Sequence, residues 1–177
     1  KAYLWLLAQG YFPERIIIAG DSAGGGLAAG LLQLCQQQRD LPMPAGMVLL
    51  SPWLDMTLSG NSYNTRAKDD PVHQKKMLQV LAGQYAGKSA DLKNPLLSPL
   101  FGDLNGLPPT LIQMGDCEVG LDDAVSYSQQ ANASGSVVDL SIWPDMIHVF
   151  QMFADELEPG REAIQKISTF IKITVKS

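Results

Sequence analysis

A serine within a cluster of glycines is the residue in this sequence with the clearest potential for chemistry. Ser22 lies in residues 16–26, which read IIIAGDSAGGG. A β-branched run that stops at a glycine, followed by a serine and a helical pattern, is typical of a sharp strand-to-helix turn. Such a turn strains the backbone of the serine by roughly 1–3 kcal/mol. We therefore predict that Ser22 is a nucleophile whose hydroxyl stands clear of the sheet.

The residues around Ser22 fit this role. Gly20 and Gly24 lie two positions to either side, where we expect a β-carbon to crowd the turn. The amide of Ala23, at the start of the next helix, is expected to point toward an oxyanion formed on Ser22. A phosphate-binding turn is the alternative interpretation. The fingerprint G-x-G-x-x-G is not met after Gly20, however, and no Lys-Ser or Lys-Thr pair follows.

A serine nucleophile needs a base that accepts its proton near pH 7, and histidine is suited to this. The chain contains two histidines. His148 lies in the segment DMIHVF after the last predicted strand, and we expect it to be the base. His73 lies in a polar segment, and we predict a surface position for it. A lone histidine is more often structural, but the order serine, acid, histidine at successive strand ends favours catalysis.

The histidine in turn needs a carboxylate that fixes its tautomer. The candidates are Asp116, Glu118, Asp122 and Asp123. Asp122 and Asp123 open a predicted helix, where carboxylates are favourable in any case. Asp116 directly follows Gly115, whereas Glu118 has the longer reach. Spacing alone does not separate Asp116 from Glu118.

Alternating strands and helices must position these residues. The pattern predicts strands over residues 15–19, 46–51, 110–114 and 137–143. It predicts helices over residues 1–10, 24–38, 75–85, 121–133 and 160–175. Continuous apolar strands suit a parallel sheet covered on both faces, so the fold class is α/β with a mostly parallel sheet flanked by helices. Ser22, the acidic loop and His148 then fall at the carboxyl ends of strands, where such sheets bind ligands.

Apolar residues near helical spacing predict the buried faces of two helices. In the helix after the turn they are Leu27, Leu31, Leu34 and Cys35, and in the last helix they are Ile164, Ile167 and Ile171. Between the second and third strands, residues 53–109 are polar and rich in Pro and Gly. A connection of this length is usually functional, so we expect it to contribute to a substrate pocket within a single domain, residues 1–177.

Composition limits the classes of partner and compartment. The chain has 177 residues, of which 46% are hydrophobic, and a net charge of −5 without a basic run, which disfavours nucleic acid and anionic membranes as partners. Its two cysteines make no disulfide framework, so we expect a cytoplasmic location. Apolar runs fall short of the ~20 residues of a membrane helix. Residues 1–10 resemble a signal peptide faintly, but we favour an amphipathic helix.

The sequence resembles the hormone-sensitive-lipase-like branch of the α/β-hydrolases, the microbial carboxylesterases and lipases. The resemblance rests on GDSAGG at 20–25, SPW at 51–53, and residues 115–123 and 144–150. It covers nearly the whole chain and implies the second half of an α/β-hydrolase fold. It assigns Ser22 as nucleophile, His148 as base and, four residues before Asp122, Glu118 as acid. The family's upstream His-Gly-Gly oxyanion loop does not occur in this sequence, so we expect a longer natural protein.

The function that this resemblance implies is a serine carboxylesterase that acts on short-acyl esters through an acyl-enzyme. It implies a small-molecule ester as partner and no metal or organic cofactor, and a homo-oligomer is compatible with it. Two alternatives are a serine peptidase and a non-catalytic binding module on the same fold. Turnover of dipeptide amides would favour the first alternative, and a ligand released unchanged would favour the second.

Overall fold

A parallel sheet of four strands is the framework of the fold in a computed structural model that describes residues 1–38, 40–87 and 89–175. The strands pair in the order of the chain: β1 (Ile17–Asp21), β2 (Gly46–Leu50), β3 (Thr110–Gly115) and β4 (Val138–Trp143). The register pairs Asp21 with Leu50 and Gly115 with Trp143, so the carboxyl ends of the strands lie along one edge of the sheet. The predicted parallel α/β class is confirmed.

Helices cover both faces of this sheet. Their bounds are α1 Ala2–Ala8, α2 Ala23–Gln37, α3 Ser62–Thr65, α4 Lys75–Ala86, α5 Leu121–Ala133 and α6 Glu158–Thr174. Met47 and Ile112 pack in one core cluster with residues of α2 and α5. The neighbouring Gln113 points the other way and donates a hydrogen bond to the carbonyl of Ala163 in α6 at 3.0 Å. The two central strands, β2 and β3, are therefore buried between two helical layers, whereas the edge strands β1 and β4 are partly exposed.

The first strand starts later than the sequence predicts. The expectation was residues 15–19, but β1 is Ile17–Asp21. Pro13 opens a short 3₁₀ helix, Pro13–Arg15, which takes Arg15 out of the strand. As a result, the strand runs directly into the turn that holds Ser22.

The predicted buried faces of α2 and α6 are partly wrong. Leu27 is 59% exposed, although Cys35 is buried as expected. In α6, Ile164 is 45% exposed, and the buried residues are Gly160 and Ala163. Small residues face inward there because a β-carbon at Gly160 would lie only 3.0 Å from the Cα atom of Ala154.

Close backbone approach explains most of the glycines around Ser22. A β-carbon at Gly20 would overlap the carbonyl of Gly24, and one at Gly25 would lie 2.7 Å from Cβ of Pro52. The expectation that Gly24 also crowds the turn is wrong, because the nearest atom to a β-carbon there is 3.9 Å away. The glycines thus bring the start of α2 against the residues that follow β2.

The excursion between β2 and β3, residues 53–109, packs its own small core. Leu58, Tyr63 and Leu78 are buried together with Val119, and Trp53 packs against them. The predicted helix at 75–85 is present as α4. In the described ranges, no helix has the length and apolar character needed to cross a bilayer.

Candidate active site

Ser22 occupies a strained backbone position between β1 and α2. Its φ and ψ angles are 53° and −123°, a combination that residues with a side chain rarely adopt. Two hydrogen bonds hold the turn: the Ser22 N–H donates to the carbonyl of Leu50 at 2.9 Å, and its carbonyl accepts from the N–H of Trp53 at 3.0 Å. Ala23 is the first residue of α2, where an N–H has no acceptor within the helix. The turn therefore presents the hydroxyl of Ser22 beside an amide that has no acceptor within α2.

His148 and Glu118 form a close pair at the neighbouring strand ends. Nδ1 of His148 lies 2.7 Å from Oε2 of Glu118, whose side chain is only 2% exposed. Because a carboxylate only accepts hydrogen bonds, a neutral His148 must carry its proton on Nδ1 and leave Nε2 free as a base. The pair thus has the orientation that general base catalysis requires.

Two further donors hold the other oxygen of Glu118. Oε1 accepts hydrogen bonds from the N–H of Gly115 at 2.6 Å and from the hydroxyl of Ser51 at 2.8 Å. The Ser51 hydroxyl also accepts from the N–H of Val149, next to His148, at 2.9 Å. Ser51 is not among the site residues that the sequence predicts. The available signal was its position as a polar residue directly after β2.

The other candidate carboxylates lie elsewhere. Asp116 Oδ1 accepts a hydrogen bond from the N–H of Asp145 at 2.8 Å. Asp122 and Asp123 open α5, as predicted, and both accept hydrogen bonds from the excursion, from the N–H of Ser62 at 2.9 Å and the hydroxyl of Tyr63 at 2.8 Å. Glu118 is therefore the candidate that contacts His148.

His73 does not occupy the surface position that the sequence predicts. Its ring centroid lies 4.2 Å from that of His148, with the two ring planes at 84°. Burial lowers the pKa of His73 below its ordinary value, and the nearby His148 adds to this lowering. The polar segment had no periodicity that could predict its return to the sheet edge.

Two adjoining cavities lie at this edge. The smaller has a volume of about 90 Å³ and is lined by residues that include Ser22, Glu118, His73 and His148. The larger, about 420 Å³, is mainly apolar and is lined by residues that include Leu27, Tyr85 and Leu97. Ala23, Trp53 and Leu81 border both cavities. A bound molecule could therefore extend from Ser22 into the apolar cavity.

The candidate triad is not hydrogen-bonded from end to end, and the described residues form no metal site. Among the described residues, the hydroxyl of Ser22 makes no hydrogen bond with His148, although both line the smaller cavity. Such bonds are often long before substrate binds. The described ranges also contain no group of three or more His, Cys, Asp or Glu side chains arranged to hold a metal ion.

Comparisons with known proteins agree with this architecture. A protein family described as having an α/β-hydrolase fold matches residues 1–152. The chain is 41% identical to an acetyl-hydrolase of Streptomyces hygroscopicus, over 97% of this chain and 56% of that protein. It is 38% identical to an esterase of Acinetobacter venetianus, over 95% of this chain and 55% of that protein. It matches the crystal structure of an esterase from the bacterial hormone-sensitive lipase family with a TM-score of 0.94 at 44% identity, over 99% of this chain and 58% of that chain.

The chain belongs to the α/β-hydrolase fold family. Within that family it belongs to the hormone-sensitive-lipase-like branch, so the resemblance noted in its motifs is confirmed. The chain spans just over half the length of the curated relatives that it matches.

Proposed function

We propose that this protein is a serine carboxylesterase that hydrolyses short-acyl esters and that residues 1–177 belong to a single catalytic domain. The observation that carries this proposal is the 2.7 Å contact between His148 Nδ1 and Glu118 Oε2, in the cavity that Ser22 also lines. A base oriented by a buried carboxylate beside a strained serine supports nucleophilic catalysis. The relatives named acetyl-hydrolase and esterase support ester substrates with a small acyl group.

In the first half-reaction, Oγ of Ser22 attacks the ester carbonyl carbon while Nε2 of His148 accepts the hydroxyl proton. The carbonyl electron pair moves onto the oxygen, where the N–H of Ala23 donates a hydrogen bond to it. The bond between the carbonyl carbon and the alcohol oxygen then breaks. The imidazolium of His148 returns its proton to the leaving alcohol, and the acyl group remains on Ser22.

In the second half-reaction, His148 removes a proton from a water molecule that attacks the acyl-enzyme. The new tetrahedral intermediate expels Oγ of Ser22, which regains the proton from His148, and the carboxylic acid is released. Throughout both halves, Glu118 holds the histidine in one tautomer and stabilises its cation.

The excursion over residues 53–109 contributes the substrate pocket in this proposal. Trp53, Leu81 and Tyr85 line the apolar cavity of about 420 Å³ beside Ala23. This volume is within the range of about 300–1,000 Å³ that is usual for small-molecule sites. We assign the apolar cavity to the hydrocarbon part of the ester.

Labelling with a fluorophosphonate, followed by mass spectrometry, tests the proposal. We expect an adduct on Ser22 that is absent in Ser22→Ala and strongly reduced in His148→Ala, together with hydrolysis of p-nitrophenyl acetate. Turnover of dipeptide amides with inertness toward esters would instead favour a peptidase. A folded protein that takes no label and binds its ligand unchanged would contradict catalysis.

A further inference from the structure

His73 is a second imidazole ring at the candidate active site, and the proposed mechanism does not use it. It lines the same small cavity as Ser22 and His148. Its ring meets that of His148 edge to face, with centroids 4.2 Å apart and planes at 84°. This is a favourable arrangement for two aromatic rings, and it limits how far either ring can rotate.

A buried carboxylate fixes His73 relative to the acid loop. Oδ1 of Asp70 accepts hydrogen bonds from the N–H groups of Val72 at 2.8 Å and His73 at 2.9 Å. Oδ2 of Asp70 accepts from the N–H of Val119, the residue after Glu118, at 2.9 Å. One side chain therefore ties the segment that carries His73 to the loop that carries Glu118. These hydrogen bonds hold His73 in contact with the ring of His148, so His73 is not a mobile surface side chain.

The burial of His73 favours a neutral ring. Burial is the main cause that lowers its pKa, and His148 adds to the lowering. Asp70, on its own segment, and Glu118, on the loop after β3, act in the opposite direction. A neutral ring can pack against His148 without placing a second positive charge beside the imidazolium that forms during catalysis.

We propose that His73 is a positioning residue, whose ring holds the imidazole of His148 in the orientation set by Glu118. This inference rests on the proposed function, because it assigns His73 a part in presenting the base to Ser22. The hydrogen bond to Glu118 fixes one ring nitrogen of His148. The imidazole ring can still rotate about the axis of that hydrogen bond. The edge-to-face contact restricts that rotation and keeps Nε2 directed into the cavity.

This role is tested with three variants of the natural protein. His73→Ala removes the ring, His73→Phe keeps an aromatic ring without its nitrogens, and Val72→Ala is the matched control on the same, exposed segment. We expect kcat to fall about tenfold in His73→Ala with little change in KM, and to stay within about threefold of the parent in His73→Phe and Val72→Ala. Should His73→Ala fail to fold, His73→Leu removes the aromatic contact while filling the space.

A proton NMR signal supplies a readout that does not depend on turnover. The Nδ1 proton of His148, held at 2.7 Å from Glu118, should give a resonance far downfield of the amide region. We expect this resonance to broaden or vanish in His73→Ala and to persist in His73→Phe, also in a Ser22→Ala background. An unchanged resonance and kcat in His73→Ala, or equal losses in His73→Phe, would overturn the proposal. The two proposals can fail separately. If the resonance changes in His73→Ala but Ser22 of the parent protein takes no fluorophosphonate, the proposed function fails and the positioning role stands.

Discussion

The hydroxyl of Ser51 joins the two loops that carry the acid and the base. It donates to Glu118 Oε1 at 2.8 Å and accepts from the N–H of Val149 at 2.9 Å. Ser51→Ala would leave the half-buried N–H of Val149 unpaired and release one side of the Glu118 carboxylate. We expect a loss of about 1–3 kcal/mol in the free energy of unfolding. We also expect kcat for ester hydrolysis to fall about tenfold, because the base is less well positioned.

Ser136 provides the matched control for Ser51. It is also buried, and its hydroxyl donates to the carbonyl of Leu104 at 2.6 Å and accepts from the N–H of Leu107 at 3.0 Å. It precedes β4 and so lies at the opposite end of that strand from His148. Ser136→Ala should lose similar stability in urea unfolding but keep its kcat. Equal losses of kcat in both variants would contradict a positioning role for Ser51.

Glu118→Gln, which replaces one carboxylate oxygen with an NH₂ group, tests the tautomer of His148. Oε1 accepts two hydrogen bonds, from Gly115 and Ser51, so the oxygen of a glutamine must stay on that side. Glu118→Gln then presents its NH₂ group to Nδ1 of His148. Nδ1 must then accept a hydrogen bond, so the ring proton moves to Nε2. Nε2 is the nitrogen that must be unprotonated to act as the base. We expect kcat to fall about 10³-fold with the fold intact, measured by ester hydrolysis and circular dichroism.

Asp116→Asn is the control for this exchange. The Oδ1 atom that accepts from the N–H of Asp145 is retained in an asparagine. We expect kcat to change less than about threefold, since the side chain does not contact His148. A large loss in Asp116→Asn with little loss in Glu118→Gln would reassign the acid to Asp116.

At the scale of elements, Asp123 fastens helix α5 to the excursion. Its Oδ2 atom accepts from the N–H groups of Leu54 at 3.4 Å and Asp55 at 3.1 Å and from the hydroxyl of Tyr63 at 2.8 Å. Its Oδ1 atom has no hydrogen-bond partner among the described residues. Burial raises the pKa of Asp123 to about 8, and hydrogen bonds from Tyr63 only partly offset this.

This raised pKa gives the stability of the protein a pH dependence of known sign. Between pH ~4 and the folded pKa of about 8, the folded state holds a proton that the unfolded state has released. The free energy of unfolding should therefore fall as the pH rises through this window, by at most about 1.4 kcal/mol per unit from this group. Asp123→Asn should remove this contribution, as measured by urea unfolding at pH 5.5 and 7.5.

Asp122→Asn is the matched comparison on the same helical turn. Asp122 accepts one hydrogen bond, from the N–H of Ser62 at 2.9 Å, and is only half-buried. The difference in stability between pH 5.5 and 7.5 should match the parent protein in Asp122→Asn and shrink only in Asp123→Asn. An unchanged difference in Asp123→Asn would mean that the buried carboxylate is already ionised at neutral pH.

At the scale of the whole molecule, each of the four strands supplies one residue to the same edge. Ser22 follows β1, Ser51 follows β2, Glu118 follows β3 and His148 follows β4. The sequence could predict this edge, because apolar strands alternating with helices imply a parallel sheet whose carboxyl ends lie together. Spacing alone could not choose between Asp116 and Glu118, and only the family resemblance favoured Glu118. That choice depends on the turn that folds the longer side chain back onto the N–H of Gly115.

Long-range contacts account for what the sequence could not predict. His73 reaches His148 because Asp70 bonds to Val119, 49 residues away, and no local pattern encodes such a contact. The buried face of α6 was misjudged for a related reason. Its contact is set by how closely Gly160 approaches Ala154 rather than by the most apolar side chains.

The same long-range packing shapes the apolar cavity between the excursion and α2. Leu81 of α4 lines both this cavity and the smaller one that contains Ser22 and His148. It therefore lies where a hydrocarbon chain attached to the reacting carbonyl would pass. Val80, the preceding residue, is 59% exposed and is not among the residues that line either cavity.

A larger side chain at this passage should change the preference for chain length. Leu81→Trp should lower kcat/KM for p-nitrophenyl hexanoate relative to the acetate ester about tenfold, because it narrows the route into the apolar cavity. Val80→Trp adds the same side chain outside both cavities, and its hexanoate-to-acetate ratio should equal that of the parent protein. Equal ratios in all three proteins would mean that the acyl chain does not enter this cavity. The cavity would then be assigned to the alcohol part of the ester, which esters of longer alcohols would test with the same two variants.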